Sequence, residues 1–600
     1  MKPTLGLTGL TINAMALIAP GAFLWLTYAE QCQYGAPMAG CSMWFGILLA
    51  LSLCFATAIS YAELSKLYPG AGSSYFFAEQ AFLAKTHYAK FARVSKFVIG
   101  WASHLYYWIY PGVMVGVTAI LAGYVAGAFW PSVFSSATPS PLFMMLFCVV
   151  FALVVGYIAY RGVNGSTAVN IAINVIQISA LLVFSVIALA YRANHPSGSQ
   201  GWTLDPDGNP VNQVIANDKD GHPIKDKDGN YVFEKDASGK PKPFTVDYSA
   251  AMDKGSDPKN PVSTFHYFKS ARSVVAPHNL SYAFIQACVA ILILVGFESV
   301  TSMGEEARNA KRDIPRAVLL SLVIQGAFCY LCEYFCANFF LNNGYDMVTA
   351  SGSAAPIGDM MVLAGTWMFG SPAAGKAFML IQAATVFLAL IGTTLACVNT
   401  GARVTYAMGR DEEVPSHFGL LHGRTLSPHR AIWVLTFISI VIGIISVAFY
   451  FCGSAAVTDD AIKSLPKNVW YSFGIMSHDT AARLPQSLLV TTLASNFGTF
   501  LLYMLTNIVA IIAFKEHHSF NGFKHFFVPL FGLAANLGCM LFYVIGPKFV
   551  SGMSWKEPYV ALGIAAVWGI YGVYYFVSSS KRKGKEILLA SGSAKPGMAV

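Results

Sequence analysis

The stretch Phe378–Ala396, FMLIQAATVFLALIGTTLA, runs for nineteen residues without a charge. A helix of about 20 apolar residues, rising 1.5 Å per residue, crosses the hydrocarbon of a bilayer. Ala431–Tyr450 repeats the pattern, as does Ala287–Phe297 with its flanks. The whole chain suits the same solvent. Of its 600 residues 55% are hydrophobic and 12% charged, about half the charged share of a soluble domain. So little charge cannot cover a water-soluble fold of this size.

Extending outward from Phe378–Ala396 gives twelve expected spans, at 8–28, 41–63, 97–128, 141–160, 166–192, 278–302, 315–340, 376–402, 430–451, 487–514, 525–547 and 556–578. The expected fold class is an all-α membrane protein of about 12 transmembrane helices. The apolar stretch behind Lys2 has no convincing small-residue cleavage site and reads as a retained first span.

Lys and Arg gather in the connections after the even-numbered spans, among them Lys66, Lys85, Arg161, Arg308, Arg312, Arg403, Arg410 and Lys515, and in the tail at Lys581, Arg582, Lys583 and Lys585. The opposite short connections carry fewer, such as Lys463, Lys467, Lys548 and Lys556. This asymmetry places both termini in the cytoplasm of a multi-pass protein of the plasma (bacterial inner) membrane. The net charge of +9 therefore reports topology, and no nucleic-acid partner is expected. Eleven cysteines lie mostly inside apolar runs and read as small buried hydrophobes. Cys32 and Cys41, flanking a short loop, are the one pair placed to bond.

Residues 193–277 break the pattern, being polar and rich in Asp, Lys, Gly and Pro on the expected external side. An Asp-x-Asp-Gly unit recurs at Asp205–Gly208, Asp218–Gly221 and Asp226–Gly229. A calcium loop of the EF-hand type needs Glu at its twelfth position, where Ala216, Gly229 and Ala237 stand instead. Asp-Gly is also a hairpin-turn signal, so short external β-hairpins, dispensable for turnover, are expected.

Two apolar runs are interrupted at their centres. Ile18-Ala19-Pro20-Gly21-Ala22-Phe23 puts Pro-Gly inside the first, and Val295-Gly296-Phe297-Glu298-Ser299 puts Gly and a carboxylate inside the sixth. Pro removes a helical hydrogen bond and Gly permits unusual dihedrals. Paired breaks of this kind point to a binding site at the bilayer midplane. A carboxylate at a helix centre costs on the order of 3 kcal/mol to insert, so Glu298 must meet a cavity, a partner or a proton. A structural role at the broken backbone and a gating or proton-linked role both stand.

Tyr61-Ala62-Glu63-Leu64 with Tyr68-Pro69-Gly70-Ala71-Gly72-Ser73-Ser74-Tyr75 resembles the second-span signature of amino acid–polyamine–organocation permeases. Gly296-Phe297-Glu298, with Glu305-Glu306-Ala307-Arg308-Asn309 and Arg312-Asp313-Ile314-Pro315-Arg316-Ala317, resembles their sixth span and the connection after it. Arg403 and Tyr406-Ala407-Met408-Gly409-Arg410-Asp411, with Pro415 and Pro428, resemble the segment after span eight. The resemblance implies a 5+5 inverted repeat of the leucine-transporter type plus two C-terminal helices. Residues 1–192 would form the first repeat, 193–277 the insert, 278–515 the second repeat, and 516–600 two appended helices and a basic tail. It also implies secondary transport of an amino acid, amine or polyamine by alternating access.

By that resemblance the substrate-binding candidates are Ile18, Ala19, Pro20, Gly21 and Ala22 with Val295, Gly296, Phe297 and, on a span lined by Trp101, Tyr106, Tyr107, Trp108 and Tyr110, Tyr107. Pro20 is a departure, because it has no N–H to offer a substrate carboxylate and leaves Gly21 and Ala22 as donors. Coupling candidates are Glu298, Gln177, Thr393 and Thr394. Gln177 stands where several proton-coupled members carry Lys, and Gln cannot titrate. Thr393-Thr394 is the hydroxyl pair a sodium-coupled relative would use, although Thr in a membrane helix commonly bonds back to its own turn. No cofactor is expected beyond proton or sodium coupling. No metal spacing, nucleotide loop or nucleophile–base cluster supports an enzyme. A membrane sensor that keeps the fold without turnover is the rival.

Overall fold

The computed structural model describes residues 4–18, 22–33, 40–70, 72–85, 88–130, 140–219, 221–248, 267–277, 279–450, 452, 483–515, 517–550 and 553–588. Among them ten helices are long and apolar enough to cross a membrane, and two shorter apolar helices, Leu7–Ile18 and Leu280–Ile291, accompany them. In chain order the part before the insert holds α1 (Leu7–Ile18), α2 (Ala22–Gln33), α3 (Met43–Leu67), α4 (Ser74–Leu83), α5 (Ala92–Phe129), α6 (Pro141–Tyr160) and α7 (Val163–Asn194). After the insert come α8 (Ala271–Val275), α9 (Leu280–Leu294), a 3₁₀ segment Phe297–Met303, α10 (Ala310–Leu322), a π-helical segment Val323–Tyr330 and α11 (Leu331–Phe340). The remainder is α12 (Met347–Ser351), α13 (Pro356–Phe369), α14 (Pro372–Arg410), α15 (His429–Ala448), α16 (Ser487–Phe514), α17 (Val528–Ile545) and α18 (Lys556–Lys583). Helices α4, α12 and α13 were not anticipated: they are too short to register as apolar runs and lie between spans.

Burial sorts the spans into centre and rim. Of the most apolar stretch of α5, 83% is buried, against 17% for that of α18, so α5 is the axle of the bundle and α18 lies at its rim. Close approach needs small residues at crossings. A Cβ on Gly112 of α5 would meet Ile442 of α15 at 2.5 Å, and one on Gly443 of α15 would meet Val115 of α5 at 2.7 Å. The two helices thus interlock reciprocally. On another face of α5 the indoles of Trp101 and Trp568 stack at 4.6 Å. Each donates to the other's carbonyl, at 2.9 and 3.0 Å, which docks α18.

The insert begins as an antiparallel pair, β1 (Thr203–Leu204) with β2 (Pro210–Val211). Bridges Asn217↔Pro223, Lys225↔Tyr231 and Lys235↔Pro241 continue it as a series of small hairpins. Gly208, Gly221, Gly229 and Gly239 turn at positive φ. The first Asp of each turn spends its carboxylate on its own loop. Asp205 Oδ1 accepts from the Asp207 and Asn209 amides at 2.9 and 2.7 Å, and Asp226 Oδ1 from those of Asp228 and Asn230, both at 2.9 Å. A fourth turn, Asp236-Ala237-Ser238-Gly239, escaped the Asp-x-Asp-Gly pattern because the second Asp is not what closes the loop. There the Ser238 hydroxyl and backbone donors hold the Asp236 carboxyl below its usual range. The base of the insert is tied to the loop after α11: Thr203 Oγ1 donates to the Gly344 carbonyl at 2.7 Å and Asn343 Nδ2 to that of Thr245 at 3.0 Å. Cys32 and Cys41 are both buried and form no disulfide.

Candidate substrate and coupling site

Of the first-span candidates, Ala19, Pro20 and Gly21 lie outside the described residues; Ile18 closes α1 and Ala22 opens α2. A helix that ends inside a membrane leaves its last carbonyls without intrahelical donors. Three side chains from other spans supply them. Gln325 Nε2 donates to the Met15 carbonyl at 2.7 Å, Thr393 Oγ1 to that of Ala16 at 2.9 Å, and Tyr330 Oη to that of Ile18 at 2.8 Å. Thr393 also reaches back to Ala389 at 3.1 Å, whereas among the described residues Thr394 bonds only within its own helix, to Leu390 at 2.7 Å. The adjacent threonines therefore differ: one bridges two spans and the other turns inward.

The sixth span breaks at Val295-Gly296. Gly296 sits at φ 115°, a region open chiefly to glycine, and a Cβ there would also meet Leu17 of α1 at 2.7 Å. The 3₁₀ segment that follows is buried throughout, and Glu298 lies within it, fully buried. Three donors converge on its carboxylate. Tyr107 Oη donates to Oε1 at 2.8 Å, Tyr503 Oη to Oε2 at 2.5 Å, and the Gly296 amide to Oε2 at 3.0 Å. Glu298 thus ties the broken backbone to α5 and α16. Phe297 packs between Tyr61 and Tyr503, with ring centroids at 6.1 and 5.4 Å.

The aromatic crowd on α5 divides by face. Tyr107 meets Glu298 and Tyr106 lies tilted beside it at 4.4 Å, while Trp101 and Trp108 face Trp568. Gln177 is not brought to Glu298. It lines a small cavity with Leu24, Trp25, Gln382 and Thr385 between α2, α7 and α14, and its Nε2 has no partner among the described residues. The residue of α7 that reaches α1 is Asn170, whose Nδ2 donates to Asn13 Oδ1 at 3.0 Å.

At the end of the bundle rich in Lys and Arg, Glu306 pairs with a residue distant in the chain. Arg403 grips its carboxylate with two bonds of 3.1 and 3.0 Å, and the Glu306 carbonyl accepts from the Thr4 and Leu5 amides at 3.0 Å. Arg93 grips Glu413 likewise at 2.7 and 2.9 Å. Lys96 lies between Glu79 at 2.5 Å and Asp411 at 3.1 Å. Such clusters tie distant segments together at one end of the bundle.

The sequence reading passed over Glu333 of α11, although its signal, one acid inside the expected 315–340 span, equals that of Glu298. It also missed Asp359, which accepts from Tyr124 at 2.7 Å and Tyr345 at 2.8 Å.

The profile of the amino acid permease family matches residues 4–570. The chain belongs to that family. It is 24% identical over 416 residues to the branched-chain amino acid permease BcaP of Lactococcus lactis subsp. cremoris, covering 68% of this chain and 70% of the relative. It is 22% identical over 452 residues to BcaP of Bacillus subtilis, covering 74% and 75%. The low-affinity putrescine importer PlaP of Escherichia coli K12 is 22% identical over 380 residues, 63% of this chain and 62% of the importer. This amino acid permease is a multi-pass membrane transporter and not an enzyme. The sensor alternative gains no support.

Proposed function

We propose that this permease carries an amino acid across the plasma membrane by alternating access, through a site between the broken first and sixth spans. In this reading twelve spans form a 5+5 inverted repeat, 1–192 and 278–515, with two appended helices. Both termini and the basic end, closed by Glu306–Arg403, face the cytoplasm. The observation that carries the reading is the hub at Glu298, where Tyr107, Tyr503 and the Gly296 amide join the sixth-span break to two other spans. A hinge bonded to neighbours on both sides is an element with two available arrangements, which alternating access needs.

Because Glu298 already accepts three donors, it has little capacity left as counter-ion to a second substrate ammonium. The enclosing side chains are Tyr and Phe, which favours an amino acid with an apolar side chain over a polyamine. Thr393 meets the Ala16 carbonyl by its own hydroxyl, so that contact stands without sodium. Uptake into proteoliposomes tests this directly. Branched-chain amino acids should compete with the labelled substrate, and putrescine should not; the reverse order would reassign the substrate to the amine class.

A further inference from the structure

Glu333 lies on α11, 1% exposed, and neither of its carboxyl oxygens meets a hydrogen-bond donor among the described residues. An ionised carboxylate enclosed without donors or a counter-ion costs several kcal/mol, whereas the neutral acid is far cheaper to bury. We propose that Glu333 is the proton-binding carboxyl of this permease, protonated in the conformation described and exchanging its proton when the first span moves.

The surroundings support the neutral form. The titratable side chains along its own helix and the π-helical segment before it are Cys329, Tyr330, Cys332, Tyr334 and Cys336. From α2 come Tyr28 and Cys32, which lie beside Tyr334; the buried Cys54 of α3 lies by Cys539 and Glu298 instead. From α7 the nearest cation is Arg192. Its guanidinium is committed at the outer end of α11 to the carbonyls of Leu341, Phe268 and Lys269, at 3.4, 3.0 and 2.9 Å. None of these groups is a counter-charge for Glu333.

Placement links the proton to the transport cycle. Tyr330, one turn before Glu333, donates to the Ile18 carbonyl at 2.8 Å, and Tyr334, the next residue, shares a 3.2 Å bond with Thr27. One turn later Asn338 Oδ1 accepts from Tyr28 at 2.7 Å. The helix of Glu333 therefore grasps the first span on both sides of its break. The π-helical segment Val323–Tyr330 immediately before it holds one residue of slack per turn, a feature frequent at functional sites. A first span that shifts to admit substrate must remake these bonds, and the enclosure of Glu333 with them. The transport part of this inference rests on the alternating-access reading; the protonation part does not.

Infrared spectroscopy of the full-length protein in lipid nanodiscs tests protonation without transport. The wild type should show the carbonyl stretch of a protonated buried carboxyl, lost in Glu333→Gln and retained in Glu298→Gln. In proteoliposomes Glu333→Gln should lose pH-driven accumulation while keeping counterflow exchange, and Glu333→Asp should restore pH dependence. A wild-type spectrum in which Glu333→Gln removes no such band overturns the proposal. So does a Glu333→Gln variant with wild-type pH dependence, or one that cannot fold, since Gln reproduces the neutral form. Wild-type protein that shows the band but moves no substrate would instead overturn the transport reading.

Discussion

Glu298 and Glu333 are both acids enclosed within membrane spans, yet their surroundings are opposite. Around Glu298 two tyrosine hydroxyls and a backbone amide converge; around Glu333 no donor is found among the described residues. A carboxylate with three donors is fixed by them and holds a structure together, while one with none is cheapest to bury as the neutral acid. Burial alone therefore says little about the role of a membrane carboxyl, and the donor set says most.

The largest effect should come from Glu298→Ala. It removes the shared acceptor of three buried donors and is expected to cost roughly 3–5 kcal/mol and bring uptake to background. Glu333→Met, which replaces an unpartnered polar group by an apolar one of similar volume, should leave stability within about 1 kcal/mol or raise it. Thermal unfolding of the two purified variants side by side measures the contrast, and equal losses would break it.

A smaller loss is expected from Tyr503→Phe, which removes the 2.5 Å bond to Glu298. A hydrogen bond to a charged group contributes roughly 1.5–3 kcal/mol. Tyr330→Phe, the matching change beside Glu333, should alter the pH profile of uptake more than the melting temperature. A melting temperature lowered more by Tyr330→Phe than by Tyr503→Phe would reverse the assignment of the two regions.

Gly296→Ala sharpens the hinge side of the comparison. An alanine at φ 115° with its Cβ 2.7 Å from Leu17 is strained by about 1–3 kcal/mol, and uptake should fall with binding partly retained. Unaltered uptake would show that the hinge tolerates a side chain.

The smallest effect belongs to the insert. Replacing 213–242 by a short linker removes many exposed carboxylates and leaves intact the base that bonds Gly344 and Asn343. Stability should change by less than about 0.5 kcal/mol and the pH profile of uptake should stay the same. A profile that shifts would move the titrating group from the membrane to the insert. The expectation that the whole of 193–277 can be removed is narrowed accordingly, because the base is part of the outer face of the bundle.

Membrane residence, the positions of the long spans and the break before Glu298 were legible in the chain, as was the family, whose motifs stand in order along it. The partners were not. Glu306 is held by Arg403, 97 residues away, and Gln177 was carried to a cavity beside α14 that its own span does not announce.

Hydropathy and charge settle where this chain resides, because the free energy of inserting a helix is close to a sum over its own twenty or so residues. The role of a single acid inside such a helix is not a local sum. In sequence Glu298 and Glu333 are alike, each one carboxylate in an apolar run. Tyr107 and Tyr503, 191 and 205 residues from Glu298 along the chain, distinguish them, and only the packing of the spans brings those hydroxyls to one carboxyl and, among the described residues, no donor to the other.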